Sequence, residues 1–241
     1  MIDKTTIIEK GATIAENVTI GPFCFIGKDA VIASGVTVAS NVIIKGNTTI
    51  EENVKIFSFA TIGHENSTIR VGKNTHVREF VQIGTQESEE EKSIDISHDN
   101  FIMAYVQIMN GVNIANNCVL TNAVRLYENV VCEERVIIGG LSSVEADNRI
   151  GTGVMIGGAS YVNHDVPPFC LVEGNRSSIR GLNIIGLRRR LNNSEDIEEI
   201  KAAYKKLLNH GVDKEMAKKV YEKSANSYVK LFAEFIAESN L

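Results

Sequence analysis

The chain has 241 residues, a formal net charge of −5 and an isoelectric point near 5.6. This acidic balance argues against a general affinity for nucleic acid or for anionic membranes. No apolar run reaches the length of about 18 residues that a membrane helix needs, so we expect no membrane span. The opening Met-Ile-Asp-Lys is expected to carry no secretory signal. Cys24, Cys118 and Cys132 fall on inward positions of a six-residue repeat and are interpreted as small core residues. Together these features predict a cytoplasmic protein.

A six-residue period begins at Ile2 and continues to Val162, and isoleucine or valine opens nearly every unit. This period is the signature of a parallel β-helix, in which each unit is a short strand followed by a corner. Branched side chains suit such a wall because their restricted χ1 angles pack well on a pleated surface. We therefore predict an all-β parallel β-helix over residues 1–170, with three hexapeptide repeats in each coil.

Two interruptions break the period without ending it. The first falls between Ile62 and Val71, and the second lies between Ile83 and Ile96. The second contains the acidic segment 85–93, Thr-Gln-Glu-Ser-Glu-Glu-Glu-Lys-Ser, which is too polar for the wall and is predicted to loop out. A solvated loop and a loop that reaches a neighbouring subunit or an active site are both consistent with it.

The repeat ends at Pro167 and Pro168, because proline has no N–H for the ladder. Residues 171–193 are predicted to form a linker, and residues 194–241 a small C-terminal α-helical domain. Ser194 is the predicted N-cap of its first helix, since acidic residues follow in the first turn. Further helices are predicted near 213–223 and 225–239. No two histidines have the close spacing of a metal site, so none is predicted.

Several segments carry a family resemblance. They include Ile-Gly-Pro-Phe-Cys at 20–24, Phe-Ala-Thr-Ile-Gly at 59–63, Asp-Val-Pro-Pro at 165–168 and Asn-Ile-Ile-Gly-Leu-Arg-Arg-Arg at 183–190. Over nearly its whole length the chain resembles the acyl-carrier-protein-dependent UDP-N-acetylglucosamine O-acyltransferases of lipid A synthesis. The resemblance implies a left-handed β-helix and a homotrimer with active sites between subunits. It also implies acyl carrier protein as the acyl donor, a UDP-sugar as the acceptor and no bound cofactor.

The positions that the resemblance assigns to catalysis depart from the family pattern. The family's general base is a histidine, and its position here is Asn110. Gln107 replaces the first histidine of the same stretch, and Asn129 replaces a histidine one coil later. Asparagine has no group that titrates near neutral pH, so it cannot take the proton of an attacking sugar hydroxyl. The sequence thus predicts the family's scaffold without its histidine chemistry.

The repeat itself suggests other bases. Residues 18 apart share a column, so Glu128 lies one coil beyond Asn110, and His64 lies two coils before it once the insertions are counted. A carboxylate in a partly dry interface can have its pKa raised enough to act as a base. The alternative is that Glu128 is a solvated or ion-paired rim residue.

The tail at 183–190 matches the family's nucleotide-contact segment at Asn183, Arg189 and Arg190, whereas the family's glutamate is Ile185. The two arginines would clamp a phosphate, or they would belong to a charged linker face.

Two hypotheses follow. In the first, the protein is a divergent homologue without the standard activity, which binds a ligand or partner or forms mixed trimers with an active relative. In the second, it is an acyltransferase on a UDP-sugar or related acceptor, with Glu128 or His64 as the base.

Overall fold

The computed structural model describes residues 1–84, 93–191, 193–208 and 211–239. Of the predicted acidic loop 85–93, residues 85–92 lie outside these ranges. The strands are mostly two residues long, as the hexapeptide period predicts. The first thirteen are β1 (Ile7–Ile8), β2 (Thr13–Ile14), β3 (Thr19–Ile20), β4 (Phe25–Ile26), β5 (Val31–Ile32), β6 (Thr37–Val38), β7 (Ile43–Ile44), β8 (Asn47–Ile50), β9 (Lys55–Ile56), β10 (Thr61–Ile62), β11 (Thr68–Val71), β12 (His76–Val77) and β13 (Gln82–Ile83).

The strands that follow the second interruption continue the pattern. They are β14 (Ile94–Ile96), β15 (Phe101–Ile102), β16 (Gln107–Ile108), β17 (Asn113–Ile114), β18 (Val119–Leu120), β19 (Arg125–Leu126), β20 (Val131–Cys132), β21 (Ile137–Ile138), β22 (Ser143–Val144), β23 (Arg149–Ile150), β24 (Met155–Ile156), β25 (Tyr161–Val162), β26 (Cys170–Glu173) and β27 (Ser178–Leu182).

Every third strand pairs in parallel, which produces three sheets around a triangular core. Face I runs from β1 through every third strand to β25, face II from β2 to β23, and face III from β3 to β26. β27 then pairs antiparallel with β26. The predicted parallel β-helix and the small helical C-terminal region are confirmed.

Both interruptions leave the ladder in register. Thr61 pairs with Gln82, Gln82 with Gln107, and Gln107 with Arg125, so the extra residues loop out between strands. The inward residues Ile62, Ile83 and Ile108 stack in consecutive coils and are fully buried. The regular stacking of these side chains makes one continuous core, and it keeps each corner residue above its counterpart in the next coil.

The corner between faces III and I carries an exposed ladder of aromatic rings. Phe59, Phe80 and Tyr105 each have a positive φ, from 58° to 64°, which turns the chain sharply into the next strand. Their rings stack in parallel, with centroids 5.0 Å apart between Phe59 and Phe80 and 4.9 Å apart between Phe80 and Tyr105. The ladder fixes the orientation of Tyr105 beside face I.

Four helices follow the β-helix: α1 (Ile184–Arg190), α2 (Ser194–Leu208), α3 (Lys214–Lys223) and α4 (Ser227–Glu238). The predicted N-cap of α2 is wrong by one residue. Ser194 is already helical, and the side chain of Asn193 accepts a hydrogen bond from the N–H of Glu195 at 3.0 Å. No described helix combines the length and apolar character needed to cross a bilayer.

Arg149 anchors the last helix to the β-helix. Its guanidinium lies 4.6 Å from the ring centre of Phe235 in α4, and its Nη1 approaches Glu238 at 3.4 Å. On the β-helix side its Nε donates to Glu133 at 2.7 Å. Glu133 is itself held by the N–H and hydroxyl of Thr152, both at 2.8 Å. One half-buried cation thus joins two structural units.

The two ends of the β-helix differ. At the first coil the inward-facing Ile2 and Ile8 are 44% and 37% exposed. At the last coil the equivalent Val162 is fully buried, and the hairpin of β26 and β27 together with the helices covers that end. Phe169 packs there against Tyr228 of α4, with ring centres 6.3 Å apart.

Candidate functional site

Asn110 lies on the corner between faces I and II, in the column that the repeat predicts. The strand register puts His64, Asn110 and Glu128 two residues past the equivalent face I strands β10, β16 and β19. Thr85, which the repeat puts between His64 and Asn110, lies outside the described residues. The structure therefore brings all three predicted catalytic residues to one corner of the prism.

Asn110 is buried, with only 5% of its surface exposed. Its backbone carbonyl accepts a hydrogen bond from the N–H of Asn129 at 3.1 Å. An amide in this position can donate and accept hydrogen bonds, but it cannot hold a proton that it removes from a substrate. The position can therefore orient a ligand and cannot supply base catalysis.

Glu128 lies one coil from Asn110, at the strand spacing of about 4.8 Å. Its side chain is half-buried, and among the described residues its carboxylate has no hydrogen-bond or ion-pair partner. The carboxylate is thus available to a ligand in the same column. Of the alternative that the sequence offered, the ion pair is not found in the described part of the chain, whereas a solvated rim residue also fits this carboxylate.

His64 lies two coils from Asn110, at about twice the strand spacing of ~4.8 Å. Its backbone N–H donates to Ser67 Oγ at 3.0 Å, and its carbonyl accepts from the Ser67 hydroxyl at 2.9 Å. Its ring is half-buried. A proton transfer at Asn110 would need a bridging group to reach His64, so Glu128 is the nearer of the two candidate bases.

The replaced histidine positions now take part in different polar contacts. The Oε1 atom of Gln107 accepts a hydrogen bond from Arg125 Nε at 2.7 Å. The side-chain amide of Asn129 donates to Asp147 Oδ1 at 2.8 Å. Both contacts connect consecutive coils on the outer surface, and in both of them a neutral amide takes the place of the imidazole.

A groove of about 300 Å³ opens on face I beside Gln107. Arg125 lies on its floor, and Tyr105, Tyr127, Leu141 and Ser143 contribute to its walls. The sequence analysis missed Arg125. The same 18-residue spacing that connected Asn110 to Glu128 also connects Gln107 to Arg125, so the outward columns carried the necessary signal.

The three predicted nucleotide contacts lie on or beside α1, with different roles in the chain itself. Asn183 caps the helix: its Oδ1 accepts from the N–H of Gly186 at 2.9 Å, and its Nδ2 donates to the carbonyl of Gly153 at 3.1 Å. Arg189 is exposed. Arg190 turns inward, and its guanidinium lies 5.6 Å from the ring centre of Phe169.

Arg190 is an unusual cation because part of its guanidinium is buried. Its Nη1 atom is buried without a hydrogen-bond partner among the described residues. Burial, together with the nearby charge of Arg135, lowers the pKa of Arg190. Of the predicted pair, Arg189 is therefore the more exposed side chain in this conformation.

The two groups of candidate residues occupy different corners of one chain. Asn110 and Glu128 follow face I strands, whereas Asn183 is tied to Gly153, which lies between β23 of face II and β24 of face III. Within the described ranges no cluster of three or more His, Cys, Asp or Glu side chains has the arrangement of a metal site.

Comparison with known protein families gives two matches. Residues 165–241 match the second domain of the UDP-N-acetylglucosamine O-acyltransferase family. Residues 17–52 match the six-repeat bacterial transferase hexapeptide family. The first match covers the C-terminal helices and the end of the β-helix, and the second covers an early part of the β-helix.

Curated relatives and solved structures agree with these matches. An acyl-[acyl-carrier-protein]–UDP-N-acetylglucosamine O-acyltransferase of Aliarcobacter butzleri is 44% identical, over 98% of this chain and 94% of its own length. A protein of the same description from Nautilia profundicola is 41% identical, over 78% of this chain and 76% of its own. The structure of UDP-N-acetylglucosamine acyltransferase from Campylobacter jejuni superposes with a TM-score of 0.91 at 35% identity, and covers 99% of this chain and 97% of its own.

Proposed function

Because the chain belongs to the UDP-N-acetylglucosamine O-acyltransferase family, we propose that it is a divergent, homotrimeric member that has lost the family's histidine-dependent transfer and retains ligand binding. The observation that carries this proposal is the buried Asn110 at the position of the family's base. Gln107 and Asn129, at the neighbouring histidine positions, are engaged in contacts with Arg125 and Asp147.

The chemistry explains why this one position matters. In the family's reaction a sugar hydroxyl attacks an acyl thioester while the base removes the hydroxyl proton. General base catalysis contributes roughly 10²- to 10⁴-fold to such a step. An amide cannot replace this contribution, so a chain with Asn110 and no substitute base would bind both substrates and transfer slowly or not at all.

The separation of the two residue groups supports the homotrimer. Asn183 and Arg189 lie near one corner of the prism and Asn110 and Glu128 on another, so a ligand that touches both would bridge two subunits. In this assembly Asn183 and Arg189 contact a UDP-sugar, with Arg190 joining them if it turns outward. Acyl carrier protein would be the acyl donor wherever transfer occurs, and no cofactor takes part. A mixed trimer with an active relative would use the same interface.

One observation favours a second candidate function, that of an active acyltransferase with a relocated base. Glu128 is half-buried, lies one coil from Asn110, and has no partner for its carboxylate among the described residues. A ligand that closes the cleft would remove water from this carboxylate, and burial raises the pKa of a carboxyl group toward the range of a useful base. His64 is the more distant alternative, one further coil away.

The test is transfer from acyl carrier proteins of several chain lengths to UDP-N-acetylglucosamine, alongside calorimetric binding of the UDP-sugar. Wild type, Asn110→His, Glu128→Ala and His64→Ala are compared. Glu16→Ala is the matched control, because Glu16 holds the same third position of a hexapeptide in the first coil and is exposed. We expect UDP-sugar binding in all five proteins and background turnover in the wild type.

The outcomes separate the two functions. Wild-type turnover that is lost in Glu128→Ala or His64→Ala and kept in Glu16→Ala would establish the relocated base. Turnover gained in Asn110→His would mean that the cleft still accepts both substrates and lacks only the base. Absence of both turnover and UDP-sugar binding would refute the retained ligand site. Sedimentation equilibrium tests the trimer separately.

A further inference from the structure

The face I groove contains a preoriented guanidinium that neither the family's chemistry nor the fold requires. We propose that this groove binds the carboxylate of an acidic hexose, a uronic acid, with Arg125 as the ligand of the carboxylate. The inference rests on the proposed retention of sugar binding and names the substrate class of that site.

Hydrogen bonds hold the Arg125 side chain in an orientation that suits a carboxylate. Its side chain is exposed, its Nε donates to Gln107 at 2.7 Å, and its Nη1 lies 3.4 Å from the hydroxyl of Tyr127. Gln107 and Tyr127 each accept one N–H of the planar guanidinium, and the N–H groups of Nη2 and the second N–H of Nη1, which form its outer edge, have no hydrogen-bond partner among the described residues. This edge matches the two oxygens of a carboxylate in a bidentate pair.

The positive charge of Arg125 also favours an anionic ligand. Arg125 has no ion-pair partner in the described part of the chain, whereas Arg70, Arg78 and Arg149 each contact a carboxylate. The contacts of Arg125 are with a neutral amide and a phenol, so its positive charge is not compensated within the groove. A single cation with one open edge suits a group with one negative charge.

The walls of the groove suit a sugar ring. Tyr105 lines the groove, is held by its stacking on Phe80 with the ring centres 4.9 Å apart, and is 58% exposed. Fixed aromatic faces pack against the C–H face of a hexose with little loss of side-chain entropy. The hydroxyls of Ser143 and Tyr127 supply donors and acceptors around this face.

The experiment uses two probes that differ in one group. UDP-N-acetylglucosamine and UDP-N-acetylglucosaminuronic acid, which carries a carboxylate in place of the hydroxymethyl group, are titrated calorimetrically into the full chain. Wild type, Arg125→Gln and Lys10→Gln are compared, because Lys10→Gln removes the same charge at an exposed site in the first coil. Thermal unfolding establishes that each variant is folded.

We expect the wild type and Lys10→Gln to bind the uronate at least tenfold more tightly, and Arg125→Gln to bind the two nucleotide sugars equally. Equal binding in the wild type, or a preference that persists in Arg125→Gln, would overturn the inference. If neither nucleotide sugar binds, the proposed UDP-sugar binding fails. Saturation-transfer NMR with free glucuronate and glucose then decides: a glucuronate signal lost in Arg125→Gln supports the acidic-sugar groove, and its absence from the wild type overturns it.

Discussion

Arg149 should contribute far more stability than its partly exposed side chain suggests, because it joins the β-helix to α4. Replacing it with alanine removes a charge-assisted hydrogen bond to Glu133, worth about 1.5–3 kcal/mol. It also removes the cation–π contact with Phe235, worth about 0.5–1 kcal/mol at a partly exposed site. Glu133 keeps its two contacts with Thr152, so no buried charge is left without partners. We expect Arg149→Ala to lower the free energy of unfolding by about 2–4 kcal/mol.

Equilibrium denaturation at a fixed protomer concentration measures this change, and limited proteolysis of the C-terminal helices gives a second readout. The matched control is Arg180→Ala. Arg180 pairs with Glu173 at 3.2 Å, but both side chains are more than half exposed, and such pairs contribute about 0–1 kcal/mol. Equal, small decreases in the free energy of unfolding of Arg149→Ala and Arg180→Ala would refute the role of Arg149 as an anchor. Proteolysis of α4 unchanged in Arg149→Ala would contradict it as well.

Three further predictions follow from the coil packing and the charges. All four cysteines are free and buried, and burial raises the pKa of Cys118 to about 12. We therefore expect the thiols not to react with a thiol reagent at neutral pH until the protein unfolds. Rapid labelling of the folded chain would contradict this. Gly46→Ala should lower the free energy of unfolding several times more than Gly211→Ala. Both glycines have a positive φ, but a Cβ at Gly46 would lie 2.3 Å from the backbone carbonyl oxygen of His64 in the next coil, whereas among the described residues no atom lies within 4 Å of a Cβ at Gly211. Similar melting points of the two variants would show that the corner yields. Hydrogen bonding to His98 lowers the pKa of Asp99, so the ionised Asp99 stabilises the fold above its ordinary pKa of 3.8, and this stabilisation is lost as the pH falls through the lowered pKa. The difference in unfolding free energy between wild type and Asp99→Asn should therefore shrink in acid. A difference that grows in acid would contradict this sign.

The fold was predictable because one short period determines both strand length and stacking. The same arithmetic brought Asn110, Glu128 and His64 to one corner, although two insertions separate them in sequence. Parallel strands stack in register whatever the length of the loops between them, so the column survives insertions. This is why the sequence alone locates the candidate site.

The parts that were missed depend on side-chain direction. A motif match assigned Arg189 and Arg190 the same role, but the turn of α1 exposes the first and points the second at Phe169. Residue type predicts Ser194 as the N-cap of α2, whereas in the structure the side chain of Asn193 accepts the hydrogen bond from Glu195. Arg125 lies outside the positions of the family's chemistry, and only its place above Gln107 in the outward column of face I indicates it.

The unequal ends of the β-helix have a consequence for self-association. The first coil leaves strand edges and the inward faces of Ile2 and Ile8 uncovered, which is the kind of edge that templates further strands. Endless head-to-tail growth would need a free edge at the opposite end of each copy. There the antiparallel β27 and the helices cover the last coil, so a copy that docks on the open edge offers no second site for the next one. The C-terminal helices thus block the end at which a further copy would have to add, which prevents head-to-tail polymerisation of the β-helix.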